Sequence, residues 1–267
     1  MMIVNNNNHK IKQLAEFMAL QYDEKITPLE KIILDEKLRV YYDCYEDAFD
    51  GMTIYDNGKF YIHLNTDRGN KDNSERGRFT LAHELGHYSI DTHRIGLKKG
   101  LLEPHPSETD KKQHTAIERE TDYFAACLLM PKVRFCNDIA GKKFNIDIIN
   151  LLKDSYKVSF TACALRFKDI GNHPIMIVYA ESNQIKWKFC SDDFRYKWLL
   201  NDKIVPQNTV MGEYFTQNNT ENTRKTEIVF AEDWFNCGKD DTTQEKFYEY
   251  CFPHPHQKKA VSIIWED

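Results

Sequence analysis

His83-Glu84-Leu85-Gly86-His87 carries the strongest chemical signal in the chain. Positions four apart on an α-helix share one face. His83 and His87 can therefore both aim an imidazole nitrogen at one zinc ion. Glu84 follows the first histidine and can reach a zinc-bound water without being a ligand itself. Zinc lowers the pKa of that water, and a neighbouring carboxylate can take its proton as it attacks a carbonyl. The pattern predicts metal-assisted hydrolysis, with His83 and His87 as ligands and Glu84 as general base. The bland alternative is a pair of exposed histidines on a surface helix. It sits poorly with Leu81, Ala82, Leu85 and Gly86, which make the same segment apolar and closely packable.

A catalytic zinc keeps three protein ligands and one open position. Two residues compete for the third place. His93 lies six residues after His87, the spacing of HExxHxxGxxH, but that motif needs a glycine where Ile90 stands. Glu118 lies on a later helix and is followed by Asp122 on the same helical face. Glu118 can ligate the metal while Asp122 accepts a hydrogen bond from a ligating histidine. Glu120 is turned about 200° away around the helix and cannot share that role. Glu118 is the favoured ligand. His93, His114 and Tyr123 are available by type to stabilise an oxyanion.

The elements that must position these residues follow from periodicity. Ile11, Leu14, Ala15 and Met18 form a helical stripe, and Thr27-Pro28 opens a second helix with Thr27 as N-cap. Arg39 to Tyr42 reads as a strand. Thr53 to Tyr55 and Lys59 to Asn65 flank Asn57-Gly58, a hairpin signal. Helices are predicted from about Glu75 to Ser89 and from about His114 to Met130, where Pro131 stops the second. The segment between them reads as a loop. Ile146 to Lys153 and Ser159 to Phe167 form a helix-turn-helix-like pair. Strands are expected at 175–180, 185–190, 227–230, 247–252 and 260–265. A change from helix-rich to β-rich near residue 171 divides the chain into 1–170 and 171–267.

The chain has 267 residues, 41% of them in the hydrophobic set and 13% aromatic, enough for sizeable cores. Lys plus Arg is 36 against 41 Asp plus Glu, a formal net charge of −5, so there is no global basic footprint for nucleic acid. The seven scattered cysteines form no CxxC pair, and no segment reads as a signal peptide or a membrane span. A cytoplasmic protein without a membrane partner is expected.

Phe79-Thr80-Leu81-Ala82-His83-Glu84-Leu85-Gly86-His87 resembles the active-site helix of the ImmA/IrrE family of metallopeptidases. Asp122-Tyr123-Phe124-Ala125-Ala126-Cys127-Leu128-Leu129-Met130-Pro131 resembles that family's second signature, preceded by an E-x-x-x-[ND] pair. Val158-Ser159 with Ala162, Ala164 and Arg166 is similar to its helix-turn-helix-like segment. The resemblance covers roughly residues 10 to 170. It implies a gluzincin-like zinc endopeptidase with Glu118 as third ligand and Asp122 as its outer partner. It also implies a substrate, a helix-turn-helix transcriptional repressor, whose cleavage switches on mobile-element or stress genes. In zincin folds the substrate adds as a strand beside the active-site helix, and Lys59 to Asn65 is either that edge or an internal strand of a small sheet.

The remaining signals are weaker. Segment 145–168 sets Lys153, Lys157, Arg166 and Lys168 against Asp147, Asp154 and Asp169, four minus three, or +1, which is thin for phosphate binding. His254-Pro255-His256 near Cys251 lacks a fourth ligand and reads as a solvated loop. Trp187, Trp198, Trp234 and Trp265 fall in the second half, as core residues or a pocket lining. The expected fold is α+β: a helix-rich zincin-like core with a small sheet and a helix-turn-helix-like segment, then a β-rich C-terminal domain. The rival to the endopeptidase is a DNA-binding or repressor-sequestering module with a structural metal site. Glu84 argues against it, because a structural site needs no water-activating carboxylate.

Overall fold

In the computed structural model, which describes residues 6–103, 107, 115–217, 224–237, 244–254 and 257–267, the Asn57-Gly58 signal closes a hairpin. Both turn residues take positive φ, 47° and 80°, as a tight hairpin turn demands. The hairpin joins β2 (Gly51–Asp56) to β3 (Lys59–Asn65), and β1 (Arg39–Asp43) pairs parallel to β3. Phe60, Ile62 and Leu64 alternate along β3 and all are buried. The sheet order is β1-β3-β2, which decides between the two readings of Lys59 to Asn65. β3 is the central strand and not an edge, because β1 spends its second row of backbone groups. Among the described residues β1 and β2 are the outer strands of this sheet, with Ser107 bridging Gly51 at the start of β2.

The fold is mixed α+β, and two units divide it: Met1–Asp138 with Leu151–Ser159, and Ile139–Asn150 with Phe160–Asp267. In the first unit α3 (Glu75–Ser89) is packed by β2 and β3 on one side and by α5 (Ala116–Leu129) on the other. Being covered on both sides, it buries His83, Glu84 and His87 along with Leu81, Ala82 and Leu85. α1 (Asn6–Leu20) lies along α5 and buries Ile11, Ala15 and Ala19.

Three local readings change. Thr27 does not cap α2 (Leu29–Asp35); it is buried and its hydroxyl donates to Leu128 O, so tertiary demand overrides the cap. Part of the expected loop is α4 (Asp91–Lys98), whose His93 and Leu97, four apart, are both buried. Pro131 does end α5, yet it also starts α6 (Lys132–Ile139), since Phe135 N donates to Pro131 O.

The helix-turn-helix-like pair is α7 (Ile146–Tyr156) and α8 (Phe160–Ile170), with Lys157 at φ 51° in the joint. In the second unit β4 (Ile175–Glu181), β5 (Gln184–Cys190), β6 (Thr226–Phe230), β7 (Lys246–His254) and β8 (Lys259–Trp265) form one antiparallel sheet, ordered β5-β4-β8-β7-β6. Two elements have no counterpart in the sequence reading: α9 (Val210–Gln217) and α10 (Ala231–Trp234). Trp234 and Trp265 are core residues, whereas Trp198 is 69% exposed. His254 ends β7, and Pro255-His256 lies outside the described residues.

Candidate metal centre

α3 starts at Ser74, whose Oγ accepts from Gly77 N, and runs far enough to stack His83 and His87 one turn apart. Their ring centroids are 5.1 Å apart. α5 starts at Thr115, whose Oγ1 accepts from Glu118 N and so fixes Glu118 in the first turn. The two helices meet closely at Gly86. A Cβ there would lie 3.1 Å from Thr121 Cγ2 and 3.2 Å from Phe124 Cδ1, so glycine sets the approach that brings Glu118 to the histidines.

The donor atoms converge. His83 Nε2 lies 3.3 Å from His87 Nε2 and 3.3 Å from Glu118 Oε2, and His87 Nε2 lies 3.4 Å from Glu118 Oε1. A tetrahedral ion with bonds of about 2.05 Å has edges of about 3.3 Å. The spacing and the donor set, two imidazoles and a carboxylate, fit a divalent metal with one position left open. His83 Nδ1 lies 2.9 Å from Asp122 Oδ1. Donation through Nδ1 leaves the Nε2 lone pair facing the other donors.

Glu84 is fully buried on the same helix. Its Oε2 accepts from Thr53 Oγ1 at 2.7 Å, while Oε1 has no hydrogen-bond partner among the described residues. A buried carboxylate oxygen without a donor is costly unless something polar meets it there. A water beside the metal is the chemistry that fits.

His93 is not brought to the metal-facing nitrogens. Its Nε2 pairs with Glu120 Oε2 at 3.0 Å while its ring rests against His87, and neither His93 nor Glu120 belongs to the trio whose donor atoms converge among the described residues. His114 lies outside the described residues. Two hydroxyls were missed by sequence reasoning: Thr121 Oγ1 and Ser107 Oγ, 3.1 and 3.2 Å from His83 Nε2. Thr121 shares a helical turn with Glu118 and could have been read from spacing. Ser107 could not, because it arrives by an isolated antiparallel bridge to Gly51.

Burial opposes charge on His83, but its bonds to Asp122 and Glu118 and the charges of Asp122 and Glu84 outweigh it, and its pKa is pushed up to about 10. Burial wins at His87, whose pKa is lowered despite Glu118. A raised histidine pKa stabilises the metal-free fold fully below the ordinary value of 6.5 and ceases to do so as pH climbs through about 10. A metal must displace that one proton. The affinity of the site for a divalent metal is therefore expected to rise about tenfold per pH unit from neutrality toward pH 10. Competition against a chelating indicator across that range checks it, and a flat profile would contradict the assignment of His83 as the protonated ligand.

Residues 54–168 match the model of the Peptidase M78 family, described as the IrrE N-terminal-like domain. Over that stretch the chain is similar to this family. The resemblance read from the two motif blocks is borne out. His83, Glu84, His87, Glu118 and Asp122 all fall inside the matched stretch. A Mycobacterium tuberculosis transcriptional regulator has a similar fold, with a TM-score of 0.60 and 14% identity, over 97% of this chain and 78% of that one. At that identity the likeness is one of fold alone. No curated protein matches the chain in sequence. No helix among the described residues is long and apolar enough to cross a membrane.

Proposed function

We propose that the chain is a zinc-dependent endopeptidase, with residues 1–170 as its core and residues 171–267 as an appended β-rich domain. His83, His87 and Glu118 would hold Zn2+, and Asp122 would keep His83 in the metal-binding tautomer. When bound, zinc would polarise the scissile carbonyl and acidify the attacking water. Glu84 takes the proton from that water and later passes it to the leaving amine. One observation carries the reading: three donor atoms at tetrahedral spacing beside a buried glutamate with one unpartnered oxygen. A purely structural zinc site closes with four ligands and has no use for such a carboxylate.

The proposed substrate is an extended segment of a helix-turn-helix transcriptional repressor, cut in the cytoplasm to release mobile-element or stress genes. It would pair along the outer edge of β2, where Ser107 already bridges Gly51. Neither direct nucleic-acid binding nor a membrane has a part in this reading.

The test is metal analysis and cleavage on wild type and Glu84→Gln. Both are expected to carry about one zinc per chain. The variant should lose peptide hydrolysis by ~10²–10⁴-fold, the contribution of a general base. A wild type that takes up no zinc, or a Glu84→Gln protein that cuts at the wild-type rate, would overturn the proposal. Tight repressor binding without cleavage would favour the sequestering module instead.

A further inference from the structure

Glu84 is held from the strand side as well as by its own helix. Alternate residues of β2 share a face, so Gly51 and Thr53 look the same way, and both meet Glu84. Thr53 is 4% exposed, and its Oγ1 lies 2.7 Å from Glu84 Oε2 and 3.0 Å from Glu84 O. A hydroxyl has one proton for these two acceptors, and the ionised carboxylate is the stronger. Gly51 contributes clearance. A Cβ at that position would lie 2.7 Å from Glu84 Oε1 and 2.9 Å from its Cγ. The two carboxylate oxygens are thus unlike: Oε2 is tied to a donor, and Oε1 has none among the described residues.

We propose that Thr53 is the positioning residue of Glu84, its hydroxyl fixing Oε2 so that Oε1 is presented to the attacking water, with Gly51 as the clearance that lets the carboxylate stand there. The inference rests on the reading of Glu84 as general base. The terminal torsion of a glutamate is broad and roughly two-fold, so packing alone selects its orientation weakly. One charge-assisted hydrogen bond selects it strongly. In the step it serves, the water O–H bond breaks and its proton goes to Oε1. The electron pair left on oxygen forms the bond to the carbonyl carbon. The proton then moves from Oε1 to the amine nitrogen as the C–N bond breaks. Thr53 keeps its own proton throughout.

A threonine could also sit here only to fill the space between strand and helix, and the test separates the two roles. Thr53→Val keeps the branched shape and removes the donor. Thr53→Ser keeps the donor and removes a methyl. Infrared difference spectra of the full-length chain, each variant against the same variant carrying Glu84→Gln, isolate the Glu84 carboxylate stretch. Thr53→Val is expected to shift that band and Thr53→Ser to restore it, with zinc content unchanged in both. Gly51→Ala, pressing on Oε1 from the same face, should move the band with the hydroxyl intact. Cleavage should fall at least ~10-fold in kcat for Thr53→Val, with KM little changed, and recover in Thr53→Ser. A band that stays in place in Thr53→Val overturns the proposal whatever the activity. A wild type that binds zinc and cuts nothing overturns the endopeptidase reading instead, and with it any part for Thr53 in proton transfer.

Discussion

Glu118→Ala is expected to abolish stable zinc binding while leaving the chain folded. Glu118 supplies the only carboxylate oxygens within 3.4 Å of the metal-facing histidine nitrogens among the described residues. Removing an outer partner of a metal ligand typically costs 10–100-fold in affinity. Removing a ligand itself should exceed about 100-fold. Two readouts check it. Metal analysis should fall from near one zinc per chain to near none. The rise in melting temperature on adding zinc should also vanish, because that rise scales with the logarithm of ligand concentration over Kd. His93→Ala is the matched control. His93 lies against His87 but bonds Glu120, so its loss should cost stability and leave the stoichiometry intact. Loss of zinc in His93→Ala, with zinc retained in Glu118→Ala, would reverse the choice between the two candidate ligands.

The residues of that centre were legible because they obey local rules. His83 and His87 sit at helical spacing, and Glu118 and Asp122 sit on one face of a second helix. Local rules also predicted both helices, the hairpin at Asn57-Gly58 and the five strands of the second sheet. They failed where long-range pairing decides. Nothing within Lys59–Asn65 reveals that Arg39–Asp43 will claim its other edge. Nothing near Ser107 announces a bridge to Gly51. Thr53 reads as an ordinary β-branched strand residue, and only the packing of β2 on α3 turns its hydroxyl toward Glu84. Thr27 looks like a helix cap until the carbonyl of Leu128 arrives. Candidate ligands that share one helix face can be read from spacing; the groups that hold them in place come from other elements.

Glu249 is the clearest case, and it carries the second large effect. It lies on β7 between Phe247 and Cys251, both buried, so alternation alone points it inward. It is fully buried, and four donors from three elements close around it. Val210 N and Trp234 Nε1 donate to Oε2 at 2.9 and 2.8 Å, and Met211 N and Ser262 Oγ donate to Oε1 at 3.1 and 2.5 Å. One carboxylate thus ties the first turn of α9, the end of α10 and β8 to β7. Burial still raises its pKa despite those donors, so the ionised form costs stability as pH rises above the ordinary value of 4.5. The donors nonetheless need it. Glu249→Ala would leave two backbone N–H groups and an indole N–H buried without an acceptor, at about 1–3 kcal/mol each. A loss of about 3–5 kcal/mol is expected, lowering the melting temperature of the second unit on the order of 10 °C or more. All four tryptophans belong to that unit, so their fluorescence reports its unfolding. Zinc stoichiometry at 25 °C should be unchanged, because every proposed ligand belongs to the first unit. Glu249→Gln keeps one acceptor oxygen and should fall between wild type and alanine. A Glu249→Ala protein that melts like wild type would mean that water satisfies those donors as well as the carboxylate does, and that the β-rich unit does not depend on Glu249.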